Sequence, residues 1–112
     1  MTNNMETLTI LLTEESVIGA LMINSETDAA TYALDKLCAA DFYFRDTRLA
    51  WEAIKAVSLS GQPVDVVTVS TYSENHETGL QFHDIAAMAN ATPGQANLKR
   101  YAQIVKEYSQ LR

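Results

Sequence analysis

A predominantly helical fold is predicted from three features of the sequence. Glycine and proline, which most often interrupt helices, occur only four and two times in 112 residues. Apolar residues recur in successive stretches at the three- and four-residue spacing of one helix face. With 47% hydrophobic and 20% charged residues, the composition is that of a folded protein rather than a disordered chain. The length fits a single domain with one core.

The first predicted helix spans residues 13–24. Thr13 can cap its N-terminus, and Glu14 and Glu15 then lie in the first turn, where carboxylates interact favourably with the helix dipole. Residues 1–12 are predicted to form an N-terminal tail ahead of a domain over residues 13–112. The apolar face of this helix consists of Val17, Ile18, Leu21 and Met22.

The second and third predicted helices span residues 28–38 and 45–59, and each is apolar on one side only. Cys38, the single cysteine, ends the stripe of the second helix and is expected to be a small buried hydrophobic residue. The two stripes consist of Ala30, Ala33, Leu34, Leu37 and Cys38, and of Leu49, Ala50, Ala53, Ile54 and Val57.

Residues 64–72 have features of both a strand and a helix. Their β-branched content and partial alternation are typical of a strand. No second strand is predicted, however, and an isolated strand leaves its backbone N–H and C=O groups unpaired. Because Asp65 is also a good N-cap, a helix over residues 66–74 is predicted.

A short helix over residues 81–90 and a last helix from about residue 95 to the end complete the prediction, with Thr92-Pro93-Gly94 as the break between them. The last helix has two apolar stripes. Leu98, Ala102 and Val105 form the first, which is assigned to the core. The second has the seam spacing of a paired helix and either contributes to self-association or widens the core contact. Its residues, the candidates for self-association, are Tyr101, Ile104, Tyr108 and Leu111.

Four large aromatic residues are expected in the core, because they supply much of the buried area of a small domain. Tyr43 has an alternative, in which it is partly exposed and its hydroxyl is free for a partner. The four are Phe42, Tyr43, Trp51 and Phe82.

The charge distribution argues against nucleic-acid binding. Eight Lys and Arg residues face fourteen Asp and Glu residues, a formal net charge of −6. Residues 98–112 carry four cations and one carboxylate, a local charge of +3, so the rest of the chain carries −9. An excess of carboxylates does not favour contacts with phosphates, and no predicted helix has the cluster of Arg, Lys, Asn and Gln that a helix-turn-helix regulator needs.

No pattern typical of catalysis or cofactor binding is present. The sequence lacks the glycine-rich loops that bind nucleotide phosphates. His76 and His83, each followed by an acidic residue (Glu77 and Asp84), could serve a small enzyme only with further ligands or a base, and are expected to be surface residues. Catalytic, cofactor-binding and metal-binding residues are therefore not expected.

A cytoplasmic location without membrane contact is the simplest expectation for this chain. The first basic residue is Lys36, so the N-terminus lacks the positive region of a signal peptide. The apolar run over residues 8–12 is far shorter than the ~20 residues that span a bilayer.

Several segments, in register over about residues 14–112, together point to a known family. They read ESVIGALMIN at 15–24, ADFYFR at 40–45, GQPVDVVTV at 61–69, and TPGQAN at 92–97 followed by YAQIVKE at 101–107. In order and separation they resemble the N-terminal domain of bacterial and phage replicative DNA helicases of the DnaB type.

The chain also departs from the pattern of that family. Residues 11–15 replace the Pro-His-x-x-Glu-Ala-Glu lead-in, and the loop over residues 72–80 is shortened. Ser73 stands where the family tends to have leucine. The long helical hairpin, the linker and the ATPase domain of the family have no counterpart in the 112 residues.

The resemblance implies an all-α compact bundle of about six helices that is not itself an enzyme. In the family this domain forms a collar on the ATPase ring and contacts other copies of itself, primase and helicase loaders, whereas the ATP-binding and hydrolysing domain lies elsewhere in the parent protein. The isolated chain is expected to be a monomer or a weak dimer without direct nucleic-acid binding. The alternative is a stand-alone phage or prophage protein that binds or modulates a host helicase.

Overall fold

The computed structural model describes residues 4–91 and 96–112, and this part of the chain contains six α-helices and one 3₁₀ turn. No strand occurs among these residues, so the predicted all-α fold is confirmed. The elements are α1 (Asn4–Ile23), α2 (Asp28–Lys36), the 3₁₀ turn (Ala39–Asp41), α3 (Arg45–Leu59), α4 (Val66–Asn75), α5 (Phe82–Asn90) and α6 (Leu98–Leu111).

Helix α1 lies at the centre of the bundle and packs against α3, α5 and α6. Helix α2 packs on α6, and α4 lies between α3 and α5. The aromatic rings of Phe42 and Trp51 stack in the core with their centroids 5.2 Å apart. The largest fully buried apolar side chains are Trp51, Phe42, Ile18, Leu21, Ile54, Ile85 and Leu98.

The predicted start of the first helix was wrong. Helix α1 begins at Asn4 rather than at Thr13, and it runs through the predicted boundary between tail and domain. The hydroxyl of Thr13 donates to the backbone oxygen of Thr9 at 2.7 Å and does not cap a helix end. Ile10, in the added turns, is only 5% exposed. Tertiary contacts of α1 therefore extend the helix beyond what its own sequence pattern indicated.

The expected burial of Cys38 was also wrong. Helix α2 ends at Lys36, two residues earlier than predicted, and Leu37 has an extended backbone. The helical spacing that would have continued the apolar stripe of α2 to Cys38 stops there, and its side chain is exposed. The N-terminus of α2 is capped by Thr27, whose hydroxyl accepts a hydrogen bond from the Ala30 N–H at 3.0 Å.

The ambiguous segment after Pro63 forms a helix, as predicted. The Asp65 carboxylate accepts a hydrogen bond from the Thr68 N–H at 2.8 Å, and the Thr68 hydroxyl accepts one from the Asp65 N–H at 3.0 Å. This reciprocal capping box fixes the start of α4 and outweighs the strand preference of the valines.

Two of the four aromatic residues are in the core as expected. Phe42 and Trp51 are 1% and 2% exposed. The prediction for Phe82 was wrong: it is the first residue of α5, and its side chain is 58% exposed. The core prediction for Tyr43 was also wrong, because its side chain is half-exposed, as the first part of its alternative stated.

The last helix buries its first stripe as predicted: Leu98, Ala102 and Val105 are at most 2% exposed. The predicted break at Thr92-Pro93-Gly94 and the predicted helix start at residue 95 lie outside the described residues. Within the described part of the chain, no helix is long and apolar enough to cross a membrane.

Candidate protein-interaction surface

The second stripe of α6 is divided by the packing of the bundle. Tyr101 is half-buried and packs against the core. Ile104, Tyr108 and Leu111 instead line a shallow groove of about 370 Å³ against Thr9 of α1. Leu111 is 81% exposed. The structure therefore brings three of the four sequence-predicted residues together at the surface and directs the fourth inward.

An apolar strip on the outer side of α1 continues this groove. Met5 and Leu12 lie four residues before and three residues after Thr9, so they are its neighbours on the helix surface. With Leu8 they are 49–74% exposed. We call Met5, Leu8 and Leu12, together with Ile104, Tyr108 and Leu111, the α1–α6 face. The sequence pattern missed the α1 half because residues 1–12 were assigned to a tail.

Asp41 in the 3₁₀ turn fixes the orientation of α6. Its carboxylate accepts hydrogen bonds from the Ser109 hydroxyl at 2.7 Å, from the Cys38 N–H at 2.9 Å and from Lys106 Nζ at 3.2 Å. The Arg112 guanidinium donates to the backbone oxygen of Asp41 at 2.8 Å. These contacts hold the C-terminal half of α6, so its second stripe faces outward.

The charge state of Asp41 favours this arrangement. Burial would by itself raise the pKa of its carboxyl group, since the side chain is only 7% exposed. The hydrogen bonds from the Cys38 N–H, Ser109 and Lys106, and the positive charge of Lys106, outweigh burial and lower the pKa below its ordinary value. Asp41 is therefore ionised at neutral pH and pairs with Lys106.

The four cations of residues 98–112 all have partners within the domain. Lys106 and Arg112 contact Asp41, and Arg112 also lies 5.1 Å from the centre of the Tyr43 ring. Arg100 pairs with Glu107 at 3.2 Å, and Lys99 lies 5.0 Å from the centre of the Tyr32 ring. The four positive charges are thus held beside two carboxylates and two aromatic rings of the same domain.

Glu14 connects α1 to the start of α3. Its buried carboxylate accepts hydrogen bonds from the N–H groups of Tyr43 and Phe44 at 2.7 and 3.3 Å and from the Thr47 hydroxyl at 2.6 Å. The side chain of the N-cap residue Phe44 makes no cap hydrogen bond. Glu14, from another element, accepts from the two backbone N–H groups that precede Arg45, the first residue of α3.

The two histidines lie at the surface, as expected, and each contacts a different residue. His76 Nδ1 is 2.9 Å from the backbone oxygen of Tyr72, and His83 Nε2 is 3.3 Å from Asp84. The described residues contain no group of three or more His, Cys, Asp or Glu side chains with the geometry of a metal site.

Residues 8–107 match the family model of the DnaB-like helicase N-terminal domain. The chain belongs to this family. It is similar to the replicative DNA helicase DnaC of Bacillus subtilis, with 33% identity over 104 residues, and to the replicative DNA helicase DnaB of Geobacillus stearothermophilus, with 34% identity over 102 residues. Each alignment covers 88% of this chain and 22% of the relative, so the chain spans about a fifth of the length of these helicases.

A solved structure of the same domain confirms the fold. The N-terminal domain of DnaB helicase from Mycobacterium tuberculosis superposes with a TM-score of 0.81 and 29% identity, over 91% of this chain and 74% of that one. The family resemblance of the sequence segments is thereby confirmed. The chain corresponds to the N-terminal domain of DnaB-type helicases.

Proposed function

We propose that this DnaB-type domain acts in DNA replication as a collar element of a helicase, through contacts with other copies of itself and with primase or a helicase loader. The family match over residues 8–107 is the observation that carries the proposal. The domain makes protein contacts and performs no covalent chemistry, so we expect ATP turnover no higher than in a protein-free blank.

The α1–α6 face is the surface that we assign to self-association. It presents six partly or largely exposed apolar side chains from two packed helices. Apolar side chains gathered in one patch typically mark a contact surface, whereas single exposed ones are ordinary. Tyr101 is not part of the patch, because it is partly buried and packs against the core.

Sedimentation velocity over a concentration series tests the self-association. We expect a monomer that forms a weak dimer with a Kd of about 100 µM, in the range of small or transient interfaces. Leu111→Ser combined with Leu8→Ser should weaken the dimer about tenfold. Leu59→Ser is the matched control, because Leu59 is 77% exposed but lies at the end of α3. A tight hexamer of the isolated chain, or equal effects of both changes, would contradict the assignment.

Titration of the labelled chain with purified primase and with purified helicase loader of the source organism tests the partner contacts. Saturable binding of either protein supports the proposal, and binding of neither overturns this part of it. The helicases compared above are each about five times the length of the matched region, so the comparisons do not favour a stand-alone modulator of a host helicase.

A further inference from the structure

A second groove lies between α4, α5 and the loop that joins them. It has a volume of about 510 Å³ and opens to solvent on the side away from the core. Val67, Ser73 and Glu74 of α4 line it on one side, and Phe82 of α5 lines it on the other. No residue of the α1–α6 face contributes to this groove.

A buried position of α4 beneath the groove has a short polar side chain. Val69 and Ser73 are one helical turn apart on the inward side of α4, and they are 0% and 1% exposed. Ser73 lies at the floor of the groove, where solvent does not reach its side chain. Among the described residues, the buried hydroxyl oxygens of Ser73 and of the neighbouring Ser70 have no hydrogen-bond partner. Unpaired buried polar atoms are rare in folded proteins and call for a physical reason.

The rim of the groove combines apolar and acidic groups. Val67 and Phe82, which lie on the two helices that border the groove, are 66% and 58% exposed. The carboxylates of Glu74 and Glu77 also line the groove, and its described lining contains no lysine or arginine. Arg45 reaches the adjoining loop, where it donates to the backbone oxygen of Thr78 at 2.8 Å, but it is not part of the lining.

We propose that this groove binds a basic partner segment that inserts an apolar anchor side chain between α4 and α5. Val67 and Phe82 would pack against the anchor, and Glu74 and Glu77 would pair with Lys or Arg residues that flank it. The inference rests on the proposed function, because it assigns a second protein contact to the same domain.

Fluorescence anisotropy with a short labelled peptide of leucine and lysine tests the groove. Two control peptides carry glutamate for lysine or serine for leucine. We expect saturable binding of the leucine–lysine peptide and not of the two control peptides. This binding should weaken as the salt concentration rises, because exposed ion pairs are screened. Ser73→Leu, which places a larger side chain at the buried floor of the groove, should weaken binding about tenfold or more. Glu74→Gln with Glu77→Gln should weaken it about fivefold at low salt.

Val67→Ser tests the groove independently if Ser73→Leu disturbs the fold. Val67 is 66% exposed, and an exposed position tolerates a polar side chain. The substitution should weaken binding about fivefold. Asp35→Asn removes one exposed carboxylate from α2 and is the matched control, which should bind like the unaltered chain. Backbone amide shifts on peptide addition should be confined to α4, α5 and their loop.

Three results would overturn the inference. They are no saturable binding up to about 1 mM peptide, equal binding of the glutamate peptide, and unchanged binding by Val67→Ser together with the double glutamine variant. A change in dimerisation caused by Ser73→Leu would assign the groove to a second copy instead, and it would equally reject a basic partner segment. Dimerisation through the α1–α6 face is measured without the peptide, so failure there is distinguishable from failure here.

Discussion

Glu14 and Glu15 are sequence neighbours whose carboxylates have opposite effects on stability. Glu14 is 1% exposed and accepts three hydrogen bonds at the start of α3. Glu15 is partly buried, and this desolvation raises its pKa. The two residues therefore offer a matched pair of isosteric substitutions on one turn of α1.

We expect Glu14→Gln to lower the free energy of unfolding by about 2 kcal/mol. The substitution replaces one carboxylate oxygen, an acceptor, with an amide NH₂ group, which cannot accept from the buried donors of Tyr43, Phe44 or Thr47. Glu15→Gln should raise the melting temperature at pH 7, since it removes a charge that burial disfavours. The raised pKa means that Glu15 favours the folded state at low pH and loses this contribution as the pH rises. Thermal melts at pH 7 and pH 4 check both changes, and destabilisation by Glu15→Gln at pH 7 would contradict the second.

The stability of the fold at acidic pH depends on Asp41. Its pKa is lowered in the folded state, so its stabilising contribution is present above the ordinary pKa of about 3.9 and is lost as the pH falls through the lower folded value. Asp41→Asn should cost about 2 kcal/mol at pH 7. The difference from the unaltered chain should shrink as the pH falls toward 3. Urea unfolding across this range measures it, with Asp35→Asn as the exposed control; a difference independent of pH would refute the role of the ionised carboxylate.

Helix α4 illustrates how a local signal decided between two structures. Valine and threonine favour a strand in its sequence, but Asp65 and Thr68 stand at the spacing of a capping box, and both hydrogen bonds form. That pattern is readable without a structure. The start of α1 is not, because burial of Ile10 depends on contacts with elements far along the chain.

The capping box of α4 predicts that substitution of Asp65 lowers the free energy of unfolding. Asp65→Ala removes the acceptor for the Thr68 N–H and should lower the free energy of unfolding by about 1 kcal/mol. Asp65→Ser retains a capping oxygen and should lose much less. Chemical denaturation of both variants measures the difference. Equal losses would show that the cap does not determine the start of this helix.

The candidate surface was only half predictable from sequence, and the reason is the packing of the whole molecule. The seam spacing identified Ile104, Tyr108 and Leu111, because a second stripe on one helix is visible in a single segment. That spacing could not show that Tyr101 turns inward, nor that α1 continues the patch. The groove at Ser73 likewise depends on how α4 faces α5, although the short residue at a core position was visible.

The distribution of charge over the molecule leads to a prediction about DNA. The formal net charge is −6, and all four cations of residues 98–112 are engaged within the domain. A protein that binds phosphates needs free Lys and Arg side chains that displace counterions. We therefore expect no saturation of a labelled single-stranded or duplex oligonucleotide by up to about 100 µM protein at about 150 mM salt.

Glu107→Gln removes the partner of Arg100 and should strengthen only the weak binding seen at low salt. A saturable, sequence-independent complex of the unaltered chain at the higher salt would show that phosphate groups displace the internal partners of these cations. It would contradict the expectation, drawn from the charge distribution, that the domain contacts proteins and not DNA.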